Sequence, residues 1–461
     1  MSRYKRYERY KDSGVEWIGE IPEHWEIGRL KNSIKSCRNG IWGDEPQGDN
    51  NDVACIRVTD FNRINMEIEV NDITIRNIPA SKQKMYLLKY GDLLIEKSGG
   101  GEKQPVGFVT IFKHNIPAVY ANFIARMELK EEKAYSGFYK YVHSAMYSVR
   151  LNVRSIKQTT GIQNLDTNYY FEERVIYPPL NEQKAIANFL DQKTAEIDAL
   201  IADKEKLIEL LQEKRQAIIT EAVTKGLNPN VRMKDSGIEW IGEIPEHWEV
   251  RKIKYLATVN PNKSEIRHLP AELEVTFIPM EKIIATGKVD YSLTNAIENL
   301  IDGYTYFKDG DIIMAKVTPC FENGNIAIVE GLLNGIGFGT TELHVLRCHS
   351  NCYNRFLFYY LQSAIFKSKG ISEMYGVAGL KRIPTDFILD YKLGIPDYYE
   401  QKQIADYLDK ITFEIDELIS NVKFQIQKLK EYRQSLIFEA VTGKIDVREF
   451  QNKNEVIFRN E

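Results

Sequence analysis

Cysteine is scarce: Cys37, Cys55, Cys320, Cys348 and Cys352 are odd in number and unpatterned, which fits a reducing compartment better than a disulfide framework. No apolar run of about 18 residues occurs, and Met1-Ser2-Arg3-Tyr4-Lys5-Arg6 lacks the apolar stretch of a signal peptide, so the expectation is a cytoplasmic protein with no membrane contact. Neither charge sign dominates. The 61 Lys and Arg stand against 65 Asp and Glu for a net charge of -4, so no global positive field draws the chain to nucleic acid and any DNA contact must be local.

Catalytic patterns are also missing. Neither Gly99-Gly100-Gly101 nor Gly335-Ile336-Gly337-Phe338-Gly339 continues into the Gly-Lys-Ser/Thr of a phosphate loop, so these glycines read as turn or strand positions. Cys348 and Cys352 with His344 and His349 lack the second spaced pair that would close a tetrahedral zinc site, which favours a buried strand end. Asp92, Glu96 and Lys97 superficially resemble the carboxylates and lysine of a metal-dependent nuclease. Gly91-Asp92 recurs as Gly310-Asp311 while Glu96 becomes Ala315, so the shared element is a strand and not an acid pair. Tyr177-Pro178-Pro179-Leu180 lacks the polar first residue of an amino-methyltransferase motif. No catalytic, metal or cofactor residue is assigned.

What is present is a chain of 461 residues, about three times a typical domain, written twice. Lys11-Asp12-Ser13-Gly14-Val15-Glu16-Trp17-Ile18-Gly19-Glu20-Ile21-Pro22-Glu23-His24-Trp25-Glu26-Ile27 recurs at Lys234 to Val250 with two changes, Val15/Ile238 and Ile27/Val250. Glu182-Gln183-Lys184 and Glu400-Gln401-Lys402 open two long helical segments that end alike, at Glu221-Ala222-Val223-Thr224 and Glu439-Ala440-Val441-Thr442. An apolar stripe at spacings of three, four or seven runs through Ile404, Leu408, Ile411, Ile415, Leu418, Val422, Ile426, Leu429 and Leu436. Ile186, Leu190, Ile197, Leu200, Ile201, Leu207, Leu211, Ile218 and Ala222 form its counterpart. A helix of roughly 40 residues, about 60 Å long, cannot hide such a stripe in its own domain, so the two are expected to pair antiparallel about an internal two-fold axis. Lys225-Gly226 in one copy stands where the other has Gly443-Lys444, which leaves the cap geometry open.

The expected plan is α+β: a conserved segment 1–26, a variable domain 27–180, a helix 181–226, a linker repeat 227–249, a second variable domain 250–398, a helix 399–442 and a tail 443–461. The variable domains read as homologous mixed α/β units separated by two long antiparallel coiled-coil helices with internal pseudo-two-fold symmetry. Short strands are expected near 52–58, 91–95, 107–111 and 171–177, and near 275–278, 310–314, 325–329 and 343–346, with helices near 136–149 and 353–368. His24 and His247 read as scaffold-turn residues beside tryptophans packed on the helices. Tyr4, Arg6, Tyr7, Arg9 and Tyr10 read as a solvated tail in preference to a partner contact.

Basic groups concentrate mildly in the variable domains, with 21 Lys and Arg against 17 acids in 27–180 and 16 against 15 in 250–395. Arg150, Arg154 and Lys157 fall at helical spacing just before Gln158-Thr159-Thr160-Gly161-Ile162-Gln163, offering charges for phosphates and amides and hydroxyls for base edges. The matching stretch holds Lys367, Lys369, Tyr375, Lys381 and Arg382. After each Gly-Asp strand comes a polar loop, one with Lys97, Ser98, Gly99, Lys103 and Gln104, the other with Lys316, Thr318 and Asn323. Each element is either a DNA contact or an ordinary solvated loop.

The duplicated Trp-Ile-Gly-Glu-Ile-Pro-Glu-His-Trp block, the two Gly-Asp-hydrophobic strands and the two Glu-Gln-x-x-Ile-Ala-x-hydrophobic-Leu-Asp helices together resemble the specificity subunits of type I restriction-modification systems over essentially the whole chain. The resemblance implies two target-recognition domains, each reading half of an asymmetric bipartite site in double-stranded DNA, and helices that set the spacing and dock two methyltransferase subunits. It places S-adenosylmethionine on those subunits, and ATP and magnesium on motor-nuclease restriction subunits, with no cofactor on this non-catalytic chain. A non-DNA structural adaptor and a sequence reader of a related phage-defence methylation system are the rivals. Internal symmetry further predicts that residues 4–26 lie beside the end of the second helix, so a circular permutant joining the termini should keep specificity.

Overall fold

The computed structural model describes residues 4–450 apart from Thr160, Ala285, Thr286 and Ala378, and of Thr159 and Val377 the backbone alone. The chain divides into two compact units, Met1–Glu205 with Lys423–Glu461, and Lys206–Val422. Two helices run from one unit into the other, Leu180–Lys225 and Tyr398–Val441. Among the described residues no helix is long and apolar enough to cross a membrane.

Each unit contains one variable domain. In the first, a six-stranded sheet runs in the order Ile34–Asn39, Ile124–Leu129, Leu93–Glu96, Val109–Ile111, Glu67–Ile68, Phe61–Asn62. Its core strand Leu93–Glu96 is buried throughout, which is why Leu93-Leu94-Ile95 reads as an unbroken apolar run and not as an alternation. A second sheet pairs Asp52–Ile56 in parallel with Ala118–Tyr120 and antiparallel with Thr74–Asn77. The second domain repeats the plan with a four-stranded sheet, Ala257–Val259, Leu343–Cys348, Ile312–Ala315, Ile326–Ile328, and another that contains the parallel pair Glu274–Ile278 and Ile336–Gly339. A two-stranded ribbon closes each domain at its base, Glu26–Arg29 with Arg174–Tyr177 and Glu249–Lys252 with Lys392–Ile395. The helices lie at Ser136–Ser148 in the first domain, and at Asn354–Gln362 and Ala364–Ser372 in the second, where the sequence predicts a single one. Ser363 makes that break, its hydroxyl accepting from the Phe366 N–H as an N-cap.

The repeated sequence makes repeated contacts. Glu182, at the start of the first long helix, accepts from the Trp25 indole at 3.0 Å and from His24 Nε2 at 2.7 Å. Glu400 does the same for Trp248 at 3.2 Å and His247 at 2.7 Å. These histidines and tryptophans pin the turn to the helix. Gln183 accepts from the Tyr135 N–H and donates to the Lys133 and Pro178 carbonyls, each at 2.9 Å. Gln401 repeats this with Tyr353, Asn351 and Pro396 at 2.8, 3.2 and 3.0 Å. Further along each helix, Tyr141 donates to Asp191 and Tyr359 to Asp409, both at 2.7 Å. The Glu-Gln opening of each helix is therefore a clamp: the carboxylate holds the constant turn and the amide holds the variable domain.

Within the first unit the long helices run antiparallel, with Arg433 bonded to Asp198 and Lys204 to Gln425. Within the second unit Arg215 pairs with Asp416 at 3.2 Å. Asp198 corresponds to Asp416, and Arg215 to Arg433, so each repeat gives its aspartate to the other's arginine. Buried seam positions include Ile404, Leu408, Ile415, Ile419, Val422 and Ile426. Three residues of the expected stripe lie outside it: Leu418 is 52% exposed, Leu200 44% and Leu207 41%. Ile419 takes the place of Leu418 because the straight helix turns in 3.6 residues and drifts from a strict heptad.

Both helices end at a glycine in the left-handed region, Gly226 at φ 75 and Gly443 at φ 72, which settles the open cap: the stop is the same and comes one residue later in the first copy. A side chain at Gly443 would strike Pro22 and Trp25. Residues near both ends of the chain meet there, since the Asp446 N–H donates to the Lys5 carbonyl at 2.8 Å and Tyr10 Oη to the Gly443 carbonyl at 3.0 Å. The segment expected to be a solvated tail is therefore packed. Tyr7 is 6% exposed, its hydroxyl donates to Glu182 at 3.0 Å and the Arg6 guanidinium stacks on Tyr10.

Candidate nucleic-acid interface

The Gly-Asp turns that launch the core strands are structural. Asp92 accepts from the Lys89 N–H at 2.8 Å and faces Arg126 at 3.6 Å. Asp311 accepts from the Lys308 N–H at 2.9 Å and is gripped by Arg347. Burial pushes the Asp92 carboxyl up against the pull of the Lys89 amide and Arg126. Glu96 is buried against Arg63 at 2.6 Å, so Asp92 and Glu96 each face an arginine. His344 lies in the strand Leu343–Cys348 with Nε2 3.0 Å from the Ile383 carbonyl oxygen, and burial lowers its pKa. Among the described residues no group of three or more His, Cys, Asp or Glu is disposed to hold a metal.

The loops beyond these strands are more informative. In the first domain Ile156–Thr159 and Ile162–Leu165 form a hairpin, and Ser98–Gly99 of the polar loop joins it as a third strand, Ser98 opposite Asn164 and Gly99 opposite Gln163. The Lys97 carbonyl accepts from the Leu165 N–H at 2.8 Å. In the second domain Tyr375–Val377 and Leu380–Arg382 form the hairpin, and Val317 bridges to Arg382. The Lys316 carbonyl accepts from the Ile383 N–H at 2.8 Å, the same bond one repeat later. Thr318 exchanges backbone and hydroxyl bonds with Lys381 and donates to the Gly379 carbonyl. The loop and the basic stretch, far apart in sequence, are thus one small polar sheet in each domain.

Its side chains are partly organised. Ser98 Oγ donates to Asn164 Oδ1 at 2.6 Å, and Gln163 Oε1 accepts from the Val106 N–H at 3.3 Å. Lys97 donates to Asn39 at 2.8 Å. Lys157 pairs with Asp166 at 2.7 Å and holds that carboxyl below the usual carboxylate range. Arg382 makes a two-pronged pair with Glu342 at 2.9 and 2.8 Å, which lowers the Glu342 pKa. Lys103, Gln104, Gln158, Asn323 and Lys381 are exposed, and Tyr375 is 69% exposed. Thr160 lies outside the described residues, as does the Thr159 side chain.

Arg150, Arg154 and Lys157 do not share a helix as their spacing suggested. Arg150 has φ 58 just past the helix end, Arg154 is on the single turn Leu151–Ser155 and Lys157 is on the hairpin. Lys367 and Lys369 stand apart from the second hairpin, on the helix Ala364–Ser372. Lys367 points at Gly324, and burial, then Arg215, lowers its pKa. Lys369 bonds Glu373 at 2.6 Å and lies over the Trp240 ring. Sequence reasoning passed over Asn164, Asn39 and Glu342, which organise the platforms, and the apolar Ile162 and Leu380, 50% and 52% exposed on the hairpins. Ile162 was detectable as a single apolar residue inside a polar stretch, whereas Leu380 has Val377, Ala378 and Ile383 close by in sequence and gives no such signal; the other three become visible only through pairing at long sequence distance.

The family of type I restriction modification DNA specificity domains matches this chain twice, at residues 22–210 and 245–428. The chain belongs to that family. Both matched copies of the specificity domain contain one variable domain and the opening of one long helix. The specificity subunit of the type I restriction enzyme EcoEI from Escherichia coli is 35% identical over 216 residues, 46% of this chain and 35% of that one. The EcoAI specificity subunit, also from Escherichia coli, is 43% identical over 166 residues, 35% of this chain and 27% of that one. The match to these two relatives thus spans about a third of their length. The MjaVIII specificity subunit of Methanocaldococcus jannaschii matches end to end, 26% identical over 447 residues, 93% of this chain and 94% of that one. Two solved structures share the fold of this specificity-domain chain. One, from work on complex assembly and conformational transition of the type I R-M system, has a TM-score of 0.62 at 13% identity, covering 91% of this chain and 98% of that one. The other, the HsdS subunit from Thermoanaerobacter tengcongensis, has a TM-score of 0.53 at 12% identity, covering 92% and 98%.

Proposed function

We propose that this chain is the sequence-reading specificity subunit of a type I restriction-modification complex, in which each variable domain reads one half of a bipartite asymmetric DNA site. The observation that carries this reading is the recurrence, in both domains, of one exposed platform made from the loop after the Gly-Asp strand and the basic hairpin. A two-stranded ribbon fits a DNA groove, basic groups at its edges meet phosphates, and amides and hydroxyls meet base edges. The platforms differ in chemistry. The first presents Ser98, Gln104, Gln158 and Gln163 with Lys97, Lys103 and Lys157, flanked by Arg150 and Arg154; the second presents Tyr375, Lys381 and Arg382 with Lys316, Thr318 and Asn323. Two different surfaces imply two different half-sites.

In this reading the long helices set the half-site spacing and dock two methyltransferase subunits that carry S-adenosylmethionine, while motor-nuclease subunits bring ATP and magnesium. This chain performs no chemistry itself. Coexpression with a type I methyltransferase of the same system, followed by mapping of methylated adenines, should reveal a split motif with two short specific halves. Replacing residues 27–180 with the corresponding domain of a relative should change one half and leave the other; a change in both would overturn the modular reading. Lys381→Ala should weaken DNA binding across sequences and reduce the slope of log affinity against log salt by about 1. Binding that is indifferent to both sequence and salt would favour the structural adaptor.

A further inference from the structure

The two copies of the constant turn receive different numbers of chain segments. In the first unit two segments meet there, Tyr4–Asp12 and Ile445–Phe450. Lys5 Nζ donates to Glu449 at 2.9 Å, the Arg448 guanidinium stands 4.8 Å from the Tyr7 ring, and the Phe450 ring meets Phe189 edge-on at 5.0 Å. Ile445 and Val447 are buried, and so is Phe189 of the first long helix. In the second unit one continuous segment, Leu227–Asp235, leaves the first long helix and ends in Met233–Asp235, paired with the constant turn as Tyr10–Asp12 is in the first unit.

What is left there is a groove of about 540 Å³ whose apolar lining includes Ile218, Leu227, Met233 and Tyr407. Tyr407 occupies the helix position that Phe189 occupies in the other repeat, yet it is 43% exposed where Phe189 is 0%. Leu227 is 43% exposed as well. Among the charged lining residues, Glu221 and Glu243 outnumber Lys225. Among the described residues the same surface is therefore covered in one unit and bare in the other, and its charge favours an occupant with a cation.

We propose that this groove docks an extended peptide segment of a partner protein with the chemistry of Ile445-Asp446-Val447-Arg448-Glu449-Phe450: apolar side chains two residues apart, an aromatic three residues beyond, and a basic residue between. The first unit supplies the template, because there Phe450 of this chain's own segment of that pattern, together with Tyr4, packs edge-on against Phe189. The docking needs no DNA, so its outcome is independent of the reading proposed above.

The test uses the full chain and a fluorescein-labelled synthetic peptide with the sequence of residues 443–450, followed by anisotropy. Saturable binding is expected with a Kd on the order of 10 µM. Tyr407→Lys should weaken it at least about 10-fold, whereas Tyr399→Lys, on an exposed position of the same helix outside the groove, should leave it unchanged. Exchange of the peptide into the first unit would be insensitive to Tyr407→Lys and would overturn the proposal, as would no saturation by about 1 mM. Sedimentation of the unliganded chain gives the other decisive outcome: a concentration-dependent dimer abolished by Tyr407→Lys would put a second copy in the groove in place of a partner protein.

Discussion

The two variable domains are fastened to the helices by the same acceptors and the same tyrosine donors, but by different cations. Asp191 receives the Tyr141 hydroxyl and the ammonium of Lys140 at 2.8 Å; Asp409 receives the Tyr359 hydroxyl and the guanidinium of Arg355 at 2.9 Å. Lys140 and Arg355 do not correspond in the repeat: Lys140 is matched by Phe358, and Arg355 by Gly137. Burial pulls the Lys140 pKa down against the pull of Asp191. Burial would raise Asp191, but Lys140, Tyr141 and Lys113 together hold it low. The constant helix thus offers a carboxylate, and each variable domain answers with whatever cation its own framework brings to that place. Such a division of labour lets a domain diverge elsewhere without losing its seat.

The largest expected contrast between the copies lies at the clamp glutamates. Glu182 has a side chain only 6% exposed and serves Trp25, His24 and Tyr7, whereas Glu400 is 24% exposed and serves Trp248 and His247. Glu182→Ala strands two buried donors and should cost about 3 to 4 kcal/mol, against about 1 to 2 kcal/mol for Glu400→Ala. Urea denaturation followed by circular dichroism measures both, and equal losses would show that Tyr7 adds nothing to the clamp.

The next contrast is a response to acid. His143 is buried in the first domain, its Nδ1 2.9 Å from the Tyr170 hydroxyl, and burial lowers its pKa to about 3; Leu361 takes its place in the second. Because the folded-state pKa lies below the unfolded value of about 6.5, the neutral ring contributes stability above that value, and the contribution is lost as pH falls from about 6.5 towards the folded value. Between about pH 7 and pH 5 the loss should be about 2 kcal/mol. His143→Leu, borrowing the second domain's residue, should remove that part of the pH dependence; an unchanged difference between the two pH values would mean that the carboxylates dominate.

Much of this architecture was legible in the sequence because its signals are local or repeated. The two long helices announce themselves through an apolar stripe, and the Trp-Ile-Gly-Glu-Ile-Pro block through identity with itself. The platforms were half legible. Their residues stood out as basic and amide-rich, but Arg150 to Lys157 imitated a helical face, and the four-residue strands Ile156–Thr159 and Ile162–Leu165, with apolar residues only at their ends, leave no alternation to read. The pairing of Ser98 with Asn164 bridges a long stretch of sequence, and no local pattern encodes such a register. Tyr7 escapes a local reading for the same reason, since its partners Glu182 and Arg448 are brought to it only by the fold.

The smallest expected contrast tests the exchange of partners between the helices. Arg433 grips Asp198 with two nitrogens, at 2.8 and 3.1 Å, and the side chains are 12% and 22% exposed. Its counterpart Arg215 approaches Asp416 through a single nitrogen at 3.2 Å, with exposures of 15% and 30%. Arg433 also donates to the Ile64 carbonyl of the first variable domain, so it is held in place before the aspartate is considered. A two-pronged, preorganised pair should couple more strongly than a single contact. Double-mutant cycles with alanine at Asp198 and Arg433, and at Asp416 and Arg215, should give about 1.5 kcal/mol and about 0.5 kcal/mol respectively. Equal couplings would mean that the exchange itself, and not the geometry on each side, sets the strength of the helix pairing.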